Sequence, residues 1–420
     1  MKEYISLFET TAAYNAAKDN LDLPNVAYCK EENEVHYNPK TWADEYLTLV
    51  ALENGTISFN IEKSMGTNMI TSISYSKDNG DTWTTTNNID NKSGHLVIDV
   101  NVNEGDKILW KGDASQLGYL DENDEKIIGS FFSSTCEFDA KGNVMSLLYG
   151  DNFKGKTTIE EDYAFCYLFS DYNEVKICNI VNARNLSLPA TTLTDFCYYS
   201  MFIGCTSLTE APQLPATTLK CCCYNYMFLG CTNLTTAPEL PATTLADSCY
   251  NEMFKGCTSL TTAPELPATT LAINCYSGMF RGCTNLTTAP ELSAETLAGN
   301  CYHQMFKGCT SLVTAPELPA ETLAGYCYSE MFRDCTSLTT APELPAITLV
   351  YYCYDNMFSG CTNLNYIKAM FTTTPSTTYT EDWVNGVAAT GTFVKNSAAT
   401  WTTTGNNGIP NGWTVETASN

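Results

Sequence analysis

Histidine and arginine are nearly missing. In 420 residues there are three of each: His36, His95 and His303, and Arg184, Arg281 and Arg333. That scarcity removes the usual bases of nucleophilic triads, the usual imidazole ligands of metal sites and the guanidinium clamps of phosphoryl transfer. Positive charge is short as well, with 22 basic against 47 acidic residues and a net charge of -25. Such a surface repels phosphate backbones and anionic lipid, so neither nucleic acid nor a membrane surface is an expected partner. No run of about 18 apolar residues occurs, which excludes insertion as a membrane helix. Glu3 and Glu9 interrupt the N-terminus before a signal-peptide core can form. The expectation is therefore a chain folded in a reducing compartment, with cysteines as thiols.

Cysteine is abundant, with 20 residues, and its positions carry the main pattern. The motif Cys-Tyr-x-x-Met-Phe-x-x-Cys recurs seven times at intervals of 26 residues. Its first cysteines are Cys197, Cys223, Cys249, Cys275, Cys301, Cys327 and Cys353. Its second cysteines are Cys205, Cys231, Cys257, Cys283, Cys309, Cys335 and Cys361. A fixed short period of apolar positions implies units that stack and cover one another's cores. The spacing of Cys, Met, Phe and Cys predicts an apolar stripe on a short helix. The prolines of Ala-Pro-Glu-Leu-Pro end that helix, and an extended segment follows with Leu234, Leu240 and Leu245 pointing inward.

Three readings of the cysteines compete. A bridge within one unit would join residues about 12 Å apart along a helix, beyond disulfide reach. Bridges between neighbouring units are possible but leave one cysteine of each seven unpaired. Zinc lacks CxxC knuckles and histidine partners, and Cys221-Cys222-Cys223 lacks ligand spacing. The expected role is two columns of buried free thiols acting as small hydrophobes.

The repeated Met-Phe-x-x-Cys followed by a Leu-rich segment resembles the BspA-like leucine-rich repeats, densely from Cys197 to Cys361. The resemblance implies a solenoid with a helix and a short strand per turn. Ala-Pro-Glu-Leu-Pro departs from the family's unbroken strand, because proline cannot donate to a ladder. Tyr163 to Leu193 reads as a degenerate first turn. Residues after Phe371 read as a β cap with Asn-Gly turns at Asn407 and Asn411, Trp401 and Trp413 covering the last turn.

Upstream, period-two stretches begin at Tyr46. Tyr46–Val50 and Thr56–Ile61, joined by Glu53-Asn54-Gly55, predict one hairpin; Thr71–Tyr75 and Trp83–Thr85 predict another. Ser76-Lys77-Asp78-Asn79-Gly80-Asp81-Thr82-Trp83 is similar to the Asp-box turn of sialidases. That box is a structural turn in those enzymes, and it occurs here once. The acidic run from Asp121 to Glu125 is read as a solvated loop in preference to a Ca²⁺ site. Residues 1–41, with a short helix expected from Thr10 to Lys18, resemble the attachment segments of head-fibre and tail-fibre proteins of phages of gut Bacteroidetes. That likeness implies docking onto virion proteins or a homotrimer; an arm packed on its own sandwich is the alternative.

The expected fold is thus mixed α/β and multi-domain. An N-terminal attachment arm (1–41) and an antiparallel, Ig-like β-sandwich (42–145) lead into a leucine-rich-repeat solenoid (146–370) and a C-terminal β cap (371–420). Ligand-binding candidates are positions that the repeat leaves free: Phe196, Tyr199, Tyr226, Asn251, Ser277, His303, Gln304, Tyr326, Tyr351 and Tyr352. Exposed Tyr and Asn in an array suit glycan or protein recognition. Glu239, Glu265, Glu291, Glu317 and Glu343 form a second column, a solvated acidic stripe or a set of Ca²⁺ ligands. No other cofactor is expected. The function expected is a non-enzymatic phage virion fibre or receptor-binding protein that attaches to a host surface glycan or protein. A secreted BspA-type adhesin of the bacterial cell surface is second, and a glycan-active enzyme third.

Overall fold

The computed structural model describes residues 43–418 except 63–68, 88, 90–94, 122–125 and 171–176, together with the backbone of three short strands nearer the N-terminus. Those strands are β1 (Ile5–Phe8), β2 (Val26–Cys29) and β3 (Glu34–Tyr37); β2 runs parallel to β1 and antiparallel to β3. The helix expected from Thr10 to Lys18 and most of the acidic run after Asp121 lie outside the described residues.

Two facing sheets follow. One contains β5 (Gly55–Ile61), β8 (Leu96–Val102) and β12 (Phe131–Ser134) in the order β12-β5-β8. The other is built from β4 (Leu47–Ala51), β6 (Ile70–Ser76), β7 (Thr84–Asn87), β9 (Lys107–Ala114), β13 (Phe138–Asn143) and β14 (Ile180–Ser187). Its order is β14-β13-β4-β9-β6-β7. A small hairpin of β10 (Gly118–Asp121) and β11 (Lys126–Gly129) lies beside them in the chain. Alternation puts every second side chain on one face, and the faces meet through rings. Trp110 of the second sheet lies 6.0 Å from Phe59 and 5.1 Å from Phe132 of the first, centroid to centroid.

The hairpin expected around Asp78 forms, with β6 antiparallel to β7. The one expected around Asn54 does not. β4 pairs with β9 and β13, whereas β5 pairs with β8 and β12, so Glu53-Asn54-Gly55 is a corner between sheets. The corner's polar groups bond to the turn before β13: Leu52 N–H donates to the Glu137 carbonyl, and Glu53 Oε1 accepts from Glu137 N–H. Tight contact requires glycine there, since a Cβ on Gly55 would lie 2.6 Å from that of Cys136.

β13 also pairs with β14, now in parallel, and that pair leads into the repeats. Here the expected fold class is corrected. Helix accounts for 3% of the structure and strand for 26%; the α-helix α1 (Ser146–Tyr149) precedes the repeats, and between β14 and β15 (Tyr366–Ala369) the described chain is neither helix nor sheet. A mixed α/β leucine-rich-repeat solenoid is not supported. The 26-residue units are instead coils of consecutive tight turns laid one on another.

The reason lies in the backbone. Phe196, Ser200 and Gly204 have φ of 56°, 53° and 75°, and the same four-residue spacing of left-handed residues recurs in later coils. A left-handed residue every fourth position breaks the i to i−4 ladder of an α-helix. N–H groups then alternate between two partners. Tyr199, Met201, Ile203 and Cys205 donate to the carbonyl three residues back, whereas Tyr198, Ser200, Phe202 and Gly204 donate to the next coil, at Cys223, Asn225, Met227 and Leu229. Every one of these donors is thereby satisfied. In the proline-rich half of each unit, single-residue parallel bridges such as Thr218↔Thr244 and Thr262↔Thr288 replace strands.

Side chains stack in register with this ladder. The repeat tyrosines, from Tyr198 to Tyr354, lie with ring centroids 5.7 to 6.0 Å apart. The phenylalanines, from Phe202 to Phe358, repeat at 5.3 to 5.8 Å. Leu234 and Leu240 are buried as expected from their spacing. The fourteen motif cysteines are buried free thiols. In the second column each sulfur is also polar-bonded, as in Cys257 Sγ to the Phe228 carbonyl at 3.2 Å. β15 is followed by β16 (Thr392–Lys395) and β17 (Thr414–Thr417), all parallel, so the chain after Phe371 continues the stacking. Trp383, Trp401 and Trp413 close that end, each with its indole N–H on a backbone carbonyl.

Candidate functional site

One flank of the stack holds the positions left free by the motif. Three regions divide it. Near the first coils, Phe196 stacks on Tyr163 at 5.0 Å, and Tyr199 meets both Tyr167 and Tyr226 edge-on at 5.6 Å. All of these rings are partly buried by one another. Burial pushes the Tyr199 phenol up to about 12.

The middle of the flank is polar and mostly paired within itself. Asn251 donates its amide to Asn225 at 3.1 Å, and Ser277 is buried. Gln304 accepts from Arg281 and donates to Glu330, each at 2.8 Å. Lys307 at 2.5 Å and Arg333 at 2.8 Å complete the pairing of Glu330. Burial by itself would raise the Glu330 pKa; the hydrogen bonds from Lys307, Gln304 and Arg333 override it and hold the carboxylate at about 2. His303 is half-buried with Nδ1 unpartnered, and burial lowers its pKa. Nothing in the sequence marked this ion-pair network beyond the equivalent repeat positions of Arg281 and Arg333.

The third region is open. Tyr326 stacks on Tyr352 at 5.1 Å, and Tyr351 stands edge-on to both, at 5.4 Å and 4.3 Å. Tyr351 is 53% exposed. A hydrogen bond to Tyr351, the largest influence, raises the Tyr326 pKa, and the neighbouring Tyr351 raises that of Tyr352. In the two preceding coils the position of Tyr351 is taken by Gly325 and Gly299, where a Cβ would meet only a backbone oxygen at 3.7 to 3.8 Å. The exposed tyrosine ring therefore borders a strip of bare backbone.

No family model, curated protein or solved structure matches this chain. The likenesses to BspA-like repeats and phage fibres thus rest on the quoted residues alone.

The remaining candidates sit elsewhere. Glu239, Glu265, Glu291, Glu317 and Glu343 are all exposed on the proline-rich side, and Glu343 pairs with Lys368 at 2.9 Å. Among the described residues no group of three or more His, Cys, Asp or Glu is arranged to hold a metal ion. In the Asp-box-like turn, Asp78 accepts from Ser76 Oγ at 2.7 Å, Thr82 N–H at 2.9 Å and Thr82 Oγ1 at 2.5 Å. Those bonds, led by that from Thr82, hold its pKa at about 2. Three of the roughly four acceptor positions of this carboxylate are thereby spent on fixing the turn.

Proposed function

We propose that this chain is a non-enzymatic binding protein that recognises a surface glycan through Tyr326, Tyr351 and Tyr352, serving as a fibre or receptor-binding component of a phage virion. The observation that carries the binding site is the choice of residue at strained positions. Tyr326 and Tyr352 have φ of 56° and 49°, at a position held by Cys222, Ser248, Asn274 and Asn300 in the intervening coils and by Phe196 in the first. A non-glycine residue held there costs on the order of 1 kcal/mol or more, and such outliers concentrate at functional sites. Asn eases that conformation with its short polar side chain; tyrosine does not. Here two half-buried aromatic rings are placed against the local preference and flank the exposed Tyr351.

A tyrosine face beside bare backbone fits a pyranose ring, which stacks its C–H face on the phenol and hydrogen-bonds at its edge. The net charge of -25 favours neutral over acidic glycans. The assignment to a virion is supported by the likeness of residues 1–41 to fibre attachment segments. Screening the full chain on an array of neutral and acidic bacterial polysaccharides tests the reading. Retention of neutral glycans without release of shortened products is expected; hydrolysis of any bound glycan would show an enzyme instead.

A further inference from the structure

Cys221 and Cys222 stand outside both buried columns, and their Sγ atoms lie 3.5 Å apart. Among the described cysteines, Cys221 is the one that is not buried. In the adjacent coils its position is held by Asp195 and Asp247, and its own N–H donates to Asp195 Oδ1 at 3.0 Å. Cys222 has φ of 53°, the left-handed corner of its coil. A disulfide needs the sulfurs about 2.05 Å apart, so the gap closes by an approach of roughly 1.5 Å, within the range of side-chain rotation.

We propose that Cys221 and Cys222 form a redox-reversible vicinal disulfide while the fourteen column cysteines stay reduced. The oxidant is a low-molecular-weight disulfide. The Cys221 thiolate attacks one of its sulfurs, forming a mixed disulfide and expelling one thiolate, which takes a proton. The Cys222 thiolate then attacks the Cys221 sulfur and expels the second. Two electrons pass from the cysteine pair to the oxidant, which leaves as two thiols.

Neighbouring Cα atoms are about 3.8 Å apart, shorter than the 4.4 to 6.8 Å usual across a disulfide. The ring is therefore strained, and strained bridges are the readily reduced ones. The columns are withdrawn from this chemistry by burial, and in the second column Cys231, Cys283 and Cys361 also donate to phenylalanine carbonyls at 2.9 to 3.1 Å. Burial first, then Cys222 and the Asp195 and Asp247 carboxylates, push the Cys221 thiol up to about 12. Tyr163, Tyr199 and Tyr226 also face Cys222, and all three are neutral below pH 9. Closure is accordingly slow at neutral pH and speeds up by about tenfold per pH unit.

The test uses the full chain carrying Cys29→Ser, because the Cys29 side chain lies outside the described residues. The protein is held in excess oxidised glutathione at pH 7 and pH 9, then unfolded, alkylated and mapped by mass spectrometry. Loss of the Cys221 and Cys222 thiols is expected without a retained glutathione adduct, faster at pH 9 by about two orders of magnitude, and reversed by dithiothreitol. Cys221→Ser and Cys222→Ser should each abolish adduct-free thiol loss. Both thiols remaining alkylatable at pH 9, stable glutathione adducts at this pair, or prior oxidation of the column cysteines would each overturn the proposal.

Discussion

Gly256 shows what a single position in a coil must tolerate. Its φ is 75°, and a Cβ there would sit 3.7 Å from the Gly230 Cα, so space is adequate and the backbone conformation is the constraint. Gly256→Ala is expected to destabilise the fold by about 1–2 kcal/mol, read as a lowered denaturant midpoint. Asp334 is the natural counterpart, occupying the same column at φ 62°. Asp334→Gly should raise the midpoint, because its ion pair with Arg333, 3.8 Å long and exposed, contributes little. Glu330 sets a pH dependence. Its folded pKa of about 2 lies below the ordinary value of 4.5, so its contribution is complete above pH 4.5 and is lost as pH falls towards 2. That contribution is about 2 kcal/mol after allowing for partial exposure. Glu330→Gln should destabilise the protein at pH 7 and flatten its stability between pH 4.5 and 2 in denaturant titrations.

Within a coil, the identity of the buried residues was readable and the backbone path was not. Cys197, Met201, Phe202 and Cys205 are fully buried, as the motif implied, and Tyr198 is buried with them, which the motif's stripe did not include. Residues four apart lie on one face of an α-helix, so the pattern matched a helix of 3.6 residues per turn. The repeat of the buried pair is four, however, and glycine recurs four residues apart at Gly278 and Gly282. Those glycines were the available sign of left-handed corners. The Asn54 corner misled for a different reason: Asn-Gly favours a hairpin locally, and pairing of β4 and β5 in different sheets overrode it. Stacking ties each phenylalanine to both neighbouring coils. Phe280 lies 5.7 Å from both Phe254 and Phe306, and Phe280→Ala should cost about 3–5 kcal/mol. Far-UV circular dichroism should show almost no helix; a strong helical minimum would refute the alternating-turn backbone.

Across the whole molecule, one hydrophobic core runs from Leu47 in β4 to Trp413 before β17. The parallel β13–β14 pair joins the sheets to the coils. Such an arrangement leaves the flank as the surface on which the motif does not fix the residue type. The free positions were visible in the sequence, but the division of that flank was not. Aromatic packing near Tyr199 and the ion pairs around Glu330 consume most of it, whereas in the Tyr326, Tyr351 and Tyr352 cluster the exposed Tyr351 ring stands beside bare backbone. The most direct test is the affinity of the full chain for its array-selected neutral polysaccharide, compared with Tyr351→Ala and with Tyr199→Ala, by calorimetry. Tyr351→Ala is predicted to weaken binding by about tenfold or more, in line with about 1.4 kcal/mol for one stacked ring, while Tyr199→Ala leaves it within about twofold. Undiminished binding by Tyr351→Ala would contradict the account.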